Sequence, residues 1–138
     1  MSAPDFLDTN VLLYAYDPTD ARKQRIAQAI VERGLVGEVV LSAQVLAEFA
    51  TTLLHKASFT IRPGDVIGAL DRLVHMRVIT PGHATVRRAV EANQTYGIHF
   101  YDGMIVAAAE KAGCERIWSE DLNPGQKYFG VTVVNPFG

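Results

Sequence analysis

Three observations predict an α/β fold, a three-layer α/β/α sandwich around a central, mainly parallel sheet of about five strands. Short apolar runs alternate with segments of helical periodicity along the whole chain, the pattern of βαβ units. The strand-like runs are apolar at nearly every position, as strands covered on both faces require. Helix punctuation falls between them: Ser42, Pro63, Gly97 and Gly113 stand where helices should start or stop.

Taken in order, a strand over about Pro4 to Leu7 leads into a helical segment from Val11. "DARKQRIAQAIVERG" predicts an amphipathic helix, with Ile26, Ala29, Ile30 and Arg33 at helical spacing and Gly34 as its stop. "EVVLS" reads as a strand ending on Ser42, which caps a helix from Ala43 to Lys56. Pro63 opens the next helix, to about Met76, and "VIT" is a third strand. His83 to Tyr96 and Tyr101 to Ala112 are helices ended by Gly97 and Gly113. "RIWS" and "VTVV" are the last strands, with the polar loop "EDLNPGQKYFG" between them.

The 138 residues fit a single domain, 1–138, with enough chain to bury a core without disulfides. A net charge of −2 excludes binding nucleic acid by bulk attraction, although acids gathered round a cation would present a positive centre. No apolar run reaches a membrane span, and "MSAPDFLDTN" lacks the basic start of a signal peptide, so a cytoplasmic protein is expected. The one cysteine, Cys114, is expected to fill core space.

In such sheets ligands collect at the carboxyl ends of the strands. Asp8 follows the first strand directly, Asp121 follows "RIWS", and Asp102 opens an otherwise uncharged helix. Glu48 lies within "SAQVLAEFATTLL", on a face with Val45, Leu41 and Thr52, and is expected to point toward the core. Each acid alone has a structural explanation, as a helix cap, a turn or an ion pair. Together, four carboxylates on one edge of a sheet would repel strongly unless a hard cation sat among them. Oxygen donors without a Cys/His cluster select Mg²⁺ or Mn²⁺, and Asp8 is read as a metal ligand.

With "FLDTNVLLYAYD", the acid of "VLAEF", "YDGMIVAAAEKAGC" and "IWSEDLNPGQ" before "VTVVNPF", the whole chain resembles the PIN-domain family, metal-dependent ribonucleases that include VapC-type toxins of toxin–antitoxin pairs. The resemblance implies an acidic quartet of Asp8, Glu48, Asp102 and Asp121. It assigns Thr9 and Asn10 to the first motif's polar pair, and Ser119 to the Ser/Thr two residues before the last acid. It further implies hydrolysis of RNA phosphodiesters with one or two divalent ions, Asp8 bridging them, an antitoxin partner, and a homodimer. Whether Glu120 joins Asp121 in the site stays open.

For RNA, Lys127 is the candidate contact, with Tyr101 or Tyr128 as stacking partners for a base. Other basic residues, Arg22, Lys23, Arg25, Lys56, Arg62, Arg87 and Arg88, are expected mostly at solvated surface, and His99 borders the site. The stretch "EFATTLLHKASF" offers a docking or dimer surface, or plain core packing. Two other readings compete: a non-catalytic PIN-like module that binds RNA or protein, and a haloacid-dehalogenase-like phosphatase. The phosphatase needs a second Asp two positions after Asp8, where this chain has Asn10.

Overall fold

The computed structural model describes residues 2–55 and 63–138. Strand β1 (Asp5–Leu7) is followed by helices α1 (Thr9–Tyr14) and α2 (Ala21–Leu35), then strand β2 (Val39–Ser42). Helices α3 (Ala43–His55) and α4 (Pro63–Arg72) lead to β3 (Arg77–Ile79), and α5 (His83–Tyr96) and α6 (Phe100–Lys111) lead to β4 (Arg116–Trp118). A hairpin of β5 (Lys127–Tyr128) and β6 (Val131–Val134) closes the chain.

The strands form one sheet in the order β3-β2-β1-β4-β6-β5, parallel except for β5 against β6. Phe6 lies opposite Val40 on one side and Ile117 on the other, and Ile117 opposite Val133. These residues are at most 1% exposed; β1 and β2 are buried at every position, whereas β4 and β6 alternate buried residues with more open ones. From β1 the chain first builds outward through β2 and β3. It then returns to add β4 and β6 on the other side of β1. With right-handed crossovers, that reversal puts helices on both faces and opens a crevice at the carboxyl ends of β1 and β4.

The helices follow local signals. Asp20 caps α2 by accepting from the Lys23 amide at 3.0 Å, and the Ser42 hydroxyl accepts from the Val45 amide at 3.3 Å. Helix α6 is buried from Gly103 to Ala109, so it reads as apolar all round rather than amphipathic. Gly103 is required by packing: a Cβ there would stand 2.7 Å from the backbone oxygen of Ala89 on α5.

Three expectations are corrected. Gly34 does not stop α2; it is buried within the helix, where a Cβ would lie 2.4 Å from Cε of Met76. The chain turns instead through Val36 and Gly37, with Gly37 at φ +85°. On α2 the buried positions are Ala27, Ile30 and Gly34, with Ala29 exposed. The segment "EDLNPGQKYFG" is not all loop, because Lys127–Tyr128 pairs with Val131–Thr132 to give a sixth, antiparallel strand. Phe129 at φ +50° and Gly130 at φ +82° form the two-residue turn, both in the left-handed region that such hairpins require.

Candidate active site

Asp8 leaves β1 at its carboxyl end and caps α1, where its Oδ1 accepts from the Thr9 amide at 2.8 Å. The side chain is drawn inward by the neighbouring strand. Ser119, fully buried after β4, donates its hydroxyl to Asp8 Oδ2 at 2.8 Å, and the Asn10 amide donates to the same oxygen at 3.2 Å. Asn10 also donates to Ser119 Oγ at 3.3 Å, and its Oδ1 accepts from the Glu120 amide at 2.8 Å. One asparagine thus ties the loop after β4 to the start of α1. That occupation of position 10 by a bridging amide removes the phosphatase reading's second acid and gives the position another task.

Asp8, Thr9, Asn10, Glu48, Asp102 and Asp121 line one pocket of about 240 Å³, together with Leu13, Thr52, Tyr101 and Ile105. Four acids separated by tens of residues are therefore brought to one place. They meet it differently from each other. Asp8 is 7% exposed, whereas Glu48, Asp102 and Asp121 stand open on the rim. The expectation that Glu48 points toward the core is corrected. Val45, Phe49 and Leu53 form the buried stripe of α3, Leu41 belongs to β2, and Glu48 stands about 100° from Phe49 around the helix. Its carboxylate accepts from Thr9 Oγ1 at 3.3 Å and from Gln44 Nε2 at 2.7 Å.

Electrostatics mark the buried acid. Burial pushes the Asp8 carboxyl up to about 6, against the lowering effect of Ser119 and the Thr9 amide, and Glu48 and Asp102 push it further. Asp102 is also raised, first by burial and then by Asp121, with His99 opposing. The donors are all oxygens and mutually repulsive, the chemistry that suits a hard divalent cation. Their positions are not yet those of a closed cage: among the described residues no three His, Cys, Asp or Glu side chains are gathered so as to hold an ion. Asp8 is held by three hydrogen bonds and Glu48 by two, while Asp102 and Asp121 stand exposed at the rim.

Glu120 turns away from this pocket. It accepts from the Tyr14 hydroxyl at 2.8 Å and pairs with Lys23, whose charge holds its carboxyl below the usual range. Asp121, the next residue, is thereby left as the acid that faces the pocket. Gln44 escaped the sequence reading: its Nε2 reaches both Glu48 and the Tyr101 carbonyl, at 3.1 Å, joining α3 to α6 across the pocket mouth. The only signal for it was its position one turn before Glu48.

The expected RNA contacts divide. Lys127 is exposed on the edge strand β5 and does not line the pocket. Tyr128 is 3% exposed and packs edge-to-face on Tyr96 at 5.1 Å, so it cannot receive a base; Tyr101 is open and lines the pocket. Arg22 donates to the Phe137 carbonyl, Arg87 pairs with Glu91, and Arg88 pairs with Glu91 and Glu110 while lying over the Phe129 ring. Lys56 and Arg62 lie outside the described residues. In "EFATTLLHKASF", Phe49 and Leu53 belong to the core, Leu54 is exposed, and the residues from Lys56 on lie outside the description.

The fold and this site define an α/β domain with an acidic pocket at the switch point of its sheet. A family model of the PIN domain matches residues 6–129, and the chain belongs to that family. Among solved structures it is similar to a toxin–antitoxin complex from Klebsiella pneumoniae, with 18% identity, TM-score 0.69 and 98% of each chain covered. It is also similar to VapC20 of Mycobacterium tuberculosis, described as a sarcin–ricin loop cleaving toxin, with 21% identity, TM-score 0.67, and 85% and 89% of the two chains covered. A third is FitAcB from Neisseria gonorrhoeae, with 21% identity, TM-score 0.62, and 96% and 98% covered. At these identities the structures establish a shared fold. No curated protein matches the sequence significantly.

Proposed function

We propose that this PIN-domain protein is a divalent-metal-dependent endoribonuclease and the toxin of a toxin–antitoxin pair. The observation that carries the proposal is the convergence of Asp8, Glu48, Asp102 and Asp121 on one pocket, with the buried member left facing other carboxylates. Mg²⁺ or Mn²⁺, when bound, would supply a water acidic enough to attack a phosphodiester at neutral pH and positive charge for the developing oxyanion. Asp8 and the rim acids Glu48, Asp102 and Asp121 would hold it.

The chain's own contribution is orientation. Ser119 and Asn10 occupy both lone pairs of Asp8 Oδ2 and the Thr9 amide one of Oδ1, which fixes the carboxylate plane and leaves the second lone pair of Oδ1 for the cation. Thr9 and Gln44 hold Glu48 from two sides. Asp102, on the first turn of a buried helix, has a rigid base and a free carboxylate. A restraining protein partner, on the likeness to a structure described as a toxin–antitoxin complex, and a second copy of the chain, on the family resemblance alone, complete the proposal. Among the described residues no helix is long and apolar enough to cross a membrane, which leaves the cytoplasmic assignment part of the same proposal.

One observation favours the non-catalytic reading: the acids line the pocket without closing on a common point. Cleavage of a mixed pool of single-stranded and structured RNAs separates the two. Purified protein with Mg²⁺ or Mn²⁺ is expected to cut, EDTA to stop it, and Asp102→Asn to lose it. RNA binding without metal-dependent cutting would establish the binding module instead.

A further inference from the structure

The pocket has a property that its acids do not explain. Among the described residues no Lys or Arg side chain lines it, so the described part of its wall attracts no phosphate directly. An RNA strand brought there needs a neutral handhold close to the reacting phosphodiester. Tyr101 is the one exposed Phe, Tyr or Trp ring among the described residues, at 59%, whereas the other tyrosines are at least half-buried. It lines the pocket and is the immediate neighbour of Asp102.

Its surroundings hold it ready. The His99 ring lies against it at a centroid distance of 5.8 Å and an interplanar angle of 26°, and Phe100 meets it edge-to-face at 5.2 Å. His99 Nδ1 accepts from the Tyr101 amide at 3.2 Å, which fixes the imidazole beneath the start of α6. Gln44 holds the Tyr101 carbonyl from α3. A ring so presented loses little freedom on receiving a flat ligand, and every nucleobase has a face to offer.

We propose that Tyr101, backed by His99, is a stacking platform for one unpaired nucleobase beside the phosphodiester that the acids engage; this rests on the nuclease reading above. A base within a duplex has both faces covered, so the platform selects single-stranded RNA over duplex.

The test uses the full chain carrying Asp121→Asn, which slows cutting while leaving three acids, and a mixed-sequence RNA octamer with 2-aminopurine at successive positions. Stacking on Tyr101 is expected to quench the fluorophore at one position, in the Tyr101→Phe variant as well. Tyr101→Leu is expected to abolish that quench and raise the octamer Kd about tenfold, within the range base–aromatic stacking gives. Mn²⁺ affinity and melting temperature of Tyr101→Leu should match those of Tyr101. Unchanged octamer binding by Tyr101→Leu, with cleavage by the native chain intact, would overturn the platform and leave the nuclease standing. Loss of Mn²⁺ affinity in Tyr101→Leu, or a loss confined to binding of a protein partner, would overturn it too. A native chain that neither binds nor cuts RNA would remove both readings together.

Discussion

Strand β1 carries a buried carboxylate at each end, and the two ends of the sheet treat them in opposite ways. Asp5, 2% exposed, receives two bonds from Arg116 at 3.0 Å, one from Arg33 at 3.0 Å and one from the Trp118 indole at 3.1 Å. Asp8, three residues on and 7% exposed, receives only neutral donors, from Ser119, Asn10 and the Thr9 amide. The charges nearest to it are those of Glu48 and Asp102, which have its own sign. Burying a charge costs several kcal/mol unless a partner offsets it. At the amino end the chain supplies the partner; at the carboxyl end it supplies more acids. Under the proposed function, the carboxyl end is where a positive charge from outside would take the partner's place.

The comparison breaks most visibly at Asp5. Asp5→Ala would strand two arginines and an indole N–H, although Arg33 and Arg116 are 39% and 49% exposed and regain water readily. A loss of about 2–4 kcal/mol is expected, somewhat below the full cost of breaking a buried pair, and urea unfolding measures it.

At Asp8 the sign reverses. A carboxyl raised from 3.8 to about 6 binds its proton more tightly in the folded chain than in the unfolded one. Its contribution to stability is therefore fully present below pH 3.8 and is lost as the pH rises through about 6. Asp8→Asn keeps the cap acceptor and removes that loss, although its NH2 then faces the Asn10 amide donor in place of Oδ2, which takes back part of the gain. In EDTA at pH 8 the variant should be more stable than the native chain by about 1–3 kcal/mol, two pKa units being worth about 3. The gain should shrink as the pH falls toward 4, and thermal melts across that range follow it.

The smallest effect sharpens the contrast on the carboxyl side. Glu120 is compensated as Asp5 is, by Lys23 and Tyr14, but with side chains 24% and 26% exposed in the ion pair. Glu120→Gln should cost at most about 1 kcal/mol in stability. Because the pair anchors the turn that presents Asp121, the variant should also weaken Mn²⁺ binding by about 2–5-fold. Calorimetric titration would show it.

The same comparison explains what was legible beforehand. Asp8, Asp102 and Asp121 could be found from the sequence because carboxylates beside wholly apolar runs violate the burial pattern, and strand ends are where ligands collect. Asp5 breaks the same pattern and was passed over, since Arg33 and Arg116 reach it only through the parallel pairing of β1 with β4 and the packing of α2. Glu48 was found with the wrong orientation, because one position on a helix separates the core stripe from the pocket rim. The edge strand β5 was hidden by its polar setting and two-residue length, with only the Phe129-Gly130 turn to signal it. Gly34 looked like a helix stop because glycine's commoner use is a C-cap, and only the approach of Met76 shows its other use.

The central claim is that the carboxyl-end acids await a cation, and a Mn²⁺ titration followed by thermal melting tests it most directly. At a hundredfold excess over its dissociation constant, an ion bound only by the folded state adds about 2.7 kcal/mol. The native chain should therefore melt progressively higher with Mn²⁺ at pH 7.5, and much less so at pH 5, where Asp8 holds its proton. Asp8→Asn should show no such rise. An equal rise in Asp8→Asn, or none in the native chain at pH 7.5, would contradict the account.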